Sequence, residues 1–245
     1  ACTAVSAVIG HGIVPAALEM IDALSIRAVQ NVMDAGYPDD AGAVLLIELE
    51  GLQEEVDEIG AEVEAALWES GPTQVRTAEK AEDRDILWVG RKGALGALGS
   101  LAPNYYLVDG VVPRTQLTQV LRRVAEISQE HGIPIANVFH AGDGNLHPCL
   151  LFDERKPGAM EAIVACGAEV MKVCVDAGGT LTGEHGVGLE KKELMPLVYS
   201  EEDMEAMRLV REAFAPENRL NPGKIFPDGI HYQPPARTPE PGLSI

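Results

Sequence analysis

The eight residues from His140 to His147, HAGDGNLH, constrain this chain most, because they set two imidazoles on either side of a sequence that reads as a tight turn. An Asp-Gly pair between extended, apolar-rich flanks favours a two-residue type I′ hairpin, whose central residues both need φ > 0. With Asp143 and Gly144 as the loop, 142 faces 145, 141 faces 146 and His140 faces His147. Directly opposed residues have Cβ atoms about 4.5 to 5.5 Å apart on one sheet face, which lets both rings reach one metal ion. The same pair could instead hydrogen-bond to neighbours and serve packing alone. A three- or four-residue loop would move the rings to opposite faces or out of line.

The rest of the chain can build a core around such a hairpin, since 46% of its 245 residues are hydrophobic. A formal charge of −19, from 38 acidic against 19 basic residues, argues against nucleic acid or an anionic membrane surface as a partner. A local arginine or a metal can still create a site for an anion. The cysteines at 2, 149, 166 and 174 show no CxxC and no iron–sulfur spacing, the pattern of thiols in a reducing cytoplasm. The opening stretch lacks the basic start of a signal peptide, and His11, Gly12 and Pro15 interrupt it as a membrane span. Gly93, Gly96 and Gly99 are spaced by threes rather than as GxGxxG, so no dinucleotide fingerprint is present.

Periodicity predicts an α+β fold. A strand is expected at 43–51, then a helix on Leu52, Val56, Ile59, Val63 and Leu67, and a further strand from Pro72 to Thr77. Residues 83–99 read as helical and NYYLVDGVV as extended. Leu117, Val120, Leu121, Val124 and Ile127 mark a second amphipathic helix, closed by Gly132 and Pro134. IPIANVFH then enters the hairpin and LHPCLLF leaves it. This order is ferredoxin-like, an antiparallel sheet with helices on one face. A helix with its core stripe on Met160, Ile163, Val164, Gly167, Met171 and Cys174 follows, with Cys166 off the stripe, and Gly178 and Gly179 end it. A helix at 201–214 leads to NPGK, and the proline-rich tail beyond has little to bury.

HAGDGNLHP, GGTLTGEHGVGLEKKELM and NRLNPGKIF, taken together over residues 1 to about 228, resemble the C-terminal half of the FAD-linked 2-hydroxy-acid oxidases and dehydrogenases. These are vanillyl-alcohol-oxidase-type flavoproteins that include the glycolate oxidases and the D-lactate dehydrogenases. The resemblance implies four parts: 1–22 as a connection from an FAD-binding domain that is missing here, 23–156 as an α+β substrate (cap) domain, 157–228 as a helical part with the EHG and NPGK motifs, and 229–245 as the tail. The chain thus reads as a fragment.

By the same resemblance His140, His147 and Glu184 are ligands of a divalent metal, for which zinc is the expectation. Arg91 holds the substrate carboxylate, and Asn221 and Lys224 lie near the flavin, while Cys149, two residues beyond His147 and so on the same strand face, is a residue lining the substrate site or a substitute ligand. A guanidinium suits a carboxylate because it binds it bidentately. His185 is the implied base, taking the hydroxyl proton while the Cα hydride of a D-2-hydroxy acid such as glycolate or D-lactate passes to FAD, leaving the 2-oxo acid. Partners would be that substrate, the FAD-binding domain and other oxidase subunits, with no nucleic acid and no transmembrane segment, in the cytoplasm or peripheral at the inner face of the membrane. A different class of function, a non-catalytic metal-binding or assembly module docking a flavoprotein, fits the same residues.

Overall fold

The computed structural model describes residues 1–228, and the expected proline-rich tail at 229–245 lies outside them. The chain divides into two compact units, one ending at Gly186 and the other beginning at Val187, a later boundary than the 156/157 division expected from sequence.

The first unit is a wholly antiparallel seven-stranded sheet with helices packed on it. Its strands are β1 (Ala17–Asp22), β2 (Ala43–Glu48), β3 (Asn104–Leu107), β4 (Gly110–Val111), β5 (Ile135–His140), β6 (Asn145–Leu146) and β7 (Pro148–Phe152). They run in the order β2-β1-β5-β6-β4, with β7 between β5 and β3. The helices are α1 (Cys2–Gly10), α2 (Ala23–Gln30), α3 (Gln53–Glu69), α4 (Ala81–Ala97), α5 (Leu117–His131) and α6 (Ala159–Asp176).

The sheet faces follow from register. Ile21 pairs with Val138 and Ala136 with Cys149, so these four side chains share a face. They are buried with Ile26 and Val29 of α2 and with Ala94 and Ala97 of α4. Tyr106, paired with Leu150 on the other face, meets α6 at Gly167, where a Cβ would come within 2.8 Å of the tyrosine ring. Helices therefore cover both faces of the sheet.

Four local expectations change. The segment 72–77 is irregular and mostly exposed, since it finds no strand to pair with, and Arg76 instead donates to the Gly36 carbonyl. Residues 17–22, placed in the connecting segment, form β1, hydrogen-bonded between β2 and β5. On α6 the buried stripe is Ile163, Cys166, Gly167, Val170, Met171 and Cys174, whereas Met160 and Val164 are exposed. Both stripes satisfy helical spacing, and the sheet selects the one rotated toward Cys166.

The fourth is the hairpin itself. His140 pairs with Asn145 rather than His147, so Ala141–Gly144 form a four-residue loop and only Gly144, at φ 72°, adopts the left-handed conformation. Gly144 presses on the Val112 carbonyl, and no side chain fits there. The two-residue slip preserves parity, so both histidines stay on one face as diagonal neighbours.

In the second unit, α7 (Glu201–Phe214) begins at a capping box between Ser200 and Asp203. Within it, Arg211 donates to the carbonyls of Leu220, Asn221 and Lys224, and Lys224 Nζ to Asn221 Oδ1.

Candidate metal and substrate site

The site grows from the end of β5. The His140 and His147 rings lie 5.2 Å apart, edge to face, and the loop after α6 brings Glu184 to both. Glu184 Oε1 is 2.9 Å from His147 Nε2 and 3.5 Å from His140 Nε2. One donor atom from each residue lies within 4.8 Å of the others. Two imidazole nitrogens and a carboxylate oxygen are a donor set that zinc accepts, and three protein ligands leave a position open for substrate or water. The residues present therefore fit a divalent ion.

What holds Glu184 in place is a carboxylate that the sequence motifs do not contain. Asp109, fully buried between β3 and β4, accepts hydrogen bonds from Thr182 Oγ1 at 2.6 Å and from the backbone N–H groups of Gly183, Glu184 and His185 at 3.1 to 3.4 Å. One buried anion thus folds the turn that carries Glu184 and His185. Asp109, His147 and His185 also lie within ligand distance of one another, yet the aspartate oxygens are already engaged by that turn.

A second carboxylate absent from the motifs is Glu19 of β1, the register partner of His140. Its Oε1 is 2.6 Å from His140 Nδ1, and its Oε2 accepts from Arg91 Nε and Nη2 at 3.1 and 2.7 Å. Arg91 reaches it from α4, with a side chain 14% exposed. Nη1 makes no hydrogen bond among the described residues, so the guanidinium keeps one end for another anion. Periodicity carries no sign of Glu19, an acid on the buried face of the short strand ALEMID. Only strand pairing reveals it.

His185 is exposed and stacks on His147, with centroids 5.0 Å apart and planes 8° from parallel. Burial, followed by the neighbouring His140 and His185 rings, holds the His147 pKa below its usual value, so this imidazole is neutral near pH 7 and fit to ligate. Cys149 packs in the core beside Ala136 and donates to the His147 carbonyl. Burial pushes its thiol up to about 12, which disfavours the thiolate a metal would need. Asn221 and Lys224 belong to the second unit.

Comparison with known proteins agrees with this architecture. Residues 1–225 match the family described as FAD linked oxidases, C-terminal domain. Glycolate oxidase subunit GlcD of Escherichia coli is 43% identical over 224 residues, covering 91% of this chain and 45% of that protein. The Bacillus subtilis GlcD is 37% identical over 226 residues, covering 92% and 48%. The mitochondrial D-lactate dehydrogenase [cytochrome] of Arabidopsis thaliana is 27% identical, covering 90% and 39%. The chain thus spans about half the length of the curated relatives it matches. Among solved structures, 4-ethylphenol oxidase from Gulosibacter chungangensis shares the fold with a TM-score of 0.65 at 15% identity, over 91% of this chain and 50% of that one. Motifs, fold and matched length agree, and the chain belongs to the family of FAD-linked oxidase C-terminal domains.

Proposed function

We propose that this chain is the substrate- and metal-binding half of an FAD-dependent oxidoreductase that converts a D-2-hydroxy acid, glycolate or D-lactate, to its 2-oxo acid. The observation that carries the reading is the convergence of His140, His147 and Glu184 on one point, with His185 beside them and Arg91 joined to them through Glu19. When bound, a divalent ion, zinc on this donor set, would lower the pKa of the substrate hydroxyl, and FAD from the other half of the protein would take the hydride.

The chain's own residues do the rest. The free end of Arg91 is placed to bind the substrate carboxylate, and because Glu19 fixes the guanidinium, that contact orients the 2-hydroxyl toward the histidines. His185 accepts the hydroxyl proton at an imidazole nitrogen. Its exposure lets the proton leave to water. Asn221 and Lys224, in the terminal motif, are assigned to the flavin side, and Cys149 to the wall behind the substrate. The domain order read from sequence, a cap followed by a helical part, belongs to this proposal, as do the FAD-binding domain and further oxidase subunits as partners. So does a cytoplasmic location, free or peripheral at the inner face of the membrane. No helix among the described residues is long and apolar enough to cross a membrane.

The test has two arms. Elemental analysis of protein purified without chelators should find about one divalent ion per chain, lost when His140→Ala and His147→Ala are combined. Joined to its FAD-binding half, the protein should bleach a dye acceptor with D-lactate or glycolate. Absence of metal overturns the ligand assignment. Metal without turnover on any 2-hydroxy acid supports instead a non-catalytic module that docks a flavoprotein.

A further inference from the structure

We propose that Glu19 is a positioning residue that serves both sides of the site, fixing the tautomer of the ligand His140 and the orientation of Arg91 through one buried carboxylate. The two oxygens divide the work. Oε1 meets His140 Nδ1 at 2.6 Å, and Oε2 takes the Nε–Nη2 edge of Arg91. Only 10% of the side chain is exposed, so water competes weakly for either bond.

The chemistry of the pair fixes the direction of the first bond. A carboxylate only accepts, so the proton between the two groups sits on Nδ1, and the lone pair of the neutral ring is left on Nε2. Nε2 is the atom that faces Glu184 Oε1, the side on which the metal reading needs a ligand. His147 lacks such a selector: its buried Nδ1 makes no hydrogen bond and stands 3.9 Å from Asp109. Of the two histidines, His140 alone has its ligating nitrogen chosen by a hydrogen bond. Orientation of a ligating imidazole by an outer carboxylate typically accounts for 10- to 100-fold in metal affinity.

The second bond makes the role double. With its side edge on Oε2, the Arg91 guanidinium cannot rotate, and Nη1 presents a defined end to an incoming anion. Loss of Glu19 would therefore release the ligand and the arginine together, although they come from different elements and lie on opposite sides of the carboxylate.

The inference rests on the metal reading for its affinity arm and not for its tautomer arm, so the two can fail separately. In the metal-free 245-residue chain labelled with ¹⁵N, two-bond ¹H–¹⁵N ring spectra at mildly alkaline pH should report His140 as the Nδ1–H tautomer. Glu19→Gln should switch it, since Arg91 can only donate and claims the amide oxygen, leaving the amide NH₂ to donate to Nδ1 and the ring proton on Nε2. Glu19→Ala should give a tautomer mixture. In competition with a chromophoric chelator, zinc should bind Glu19→Ala about 10- to 100-fold more weakly than the parent, and Glu19→Gln at least as weakly as the alanine variant. Far-UV circular dichroism matching the parent shows each variant folded, and Glu19→Gln decides the question should the alanine variant unfold. An Nε2–H tautomer in the parent, or parental zinc affinity in Glu19→Ala while His140→Ala loses zinc, overturns the proposal. A parent that binds no zinc overturns the metal reading, and the tautomer spectra then decide the role of Glu19 alone.

Discussion

At the scale of single residues, adjacent side chains are assigned different work, and chemistry can separate them. If His185 only takes a proton, His185→Asn in the joined enzyme should keep metal and flavin while kcat falls about 10²- to 10⁴-fold, with partial rescue as pH rises and hydroxide replaces the base. Glu184→Gln should instead lose metal. Release of metal by His185→Asn with retention by Glu184→Gln would exchange the two roles. The thiols give an independent check of the packing. Burial raises the pKa of Cys149 and of Cys174 to about 12 and that of Cys166 to about 11, so at pH 8 none carries appreciable thiolate. Ellman's reagent should then titrate only the half-buried Cys2 in the native protein, and all four thiols after unfolding. Rapid native reaction of a second cysteine would show that the core of α6 or β7 is open. The motif residues were legible because histidine and glycine at such spacing have few purposes. Glu19 and Asp109 were not, since a lone acid in an apolar run has no pattern until a neighbouring strand or loop closes on it.

At the scale of elements, the turn from Thr182 to His185 depends on one buried anion more than on its own sequence. Asp109→Asn removes the charge and turns an acceptor into a donor facing backbone N–H groups. It should cost about 1–3 kcal/mol and speed amide exchange at Gly183, Glu184 and His185 ahead of the rest of the sheet. Unchanged protection there would mean that the turn holds itself. α7 offers a contrast of known size: Ser200→Ala removes the cap oxygen that accepts from the Asp203 N–H and should lower stability by about 1 kcal/mol, read from the urea midpoint. The amphipathic helix α5 was visible in the sequence because Leu117, Val120, Val124 and Ile127 repeat at helical spacing on the one face it buries. The hairpin was placed correctly and its register was not, because Asp-Gly signals a reversal while the count of loop residues depends on β4, whose Val111 pairs with Asn145, and on Val112 just after it.

At the scale of the whole molecule, the chain carries a donor set that fits a divalent ion, and its curated relatives are about twice as long. Purified alone it should be colourless, and a flavin absorbance near stoichiometry would move the cofactor site into these residues. Although the net charge of the chain is −19, the proposed site meets a 2-hydroxy acid with the Arg91 guanidinium and a divalent ion, so screening should weaken capture and the apparent KM in the joined enzyme should rise with added salt. A fall would show the field at the cleft to be negative. The backbone contact at Gly144 has a consequence for descent as well as for folding. A position where even a methyl group meets a carbonyl oxygen is closed to drift, because every single-nucleotide change away from glycine adds a side chain. Any lineage that keeps this hairpin must keep that glycine, and a lineage that loses it must first move Val112, just beyond β4, and with that strand the aspartate that shapes the turn bearing Glu184.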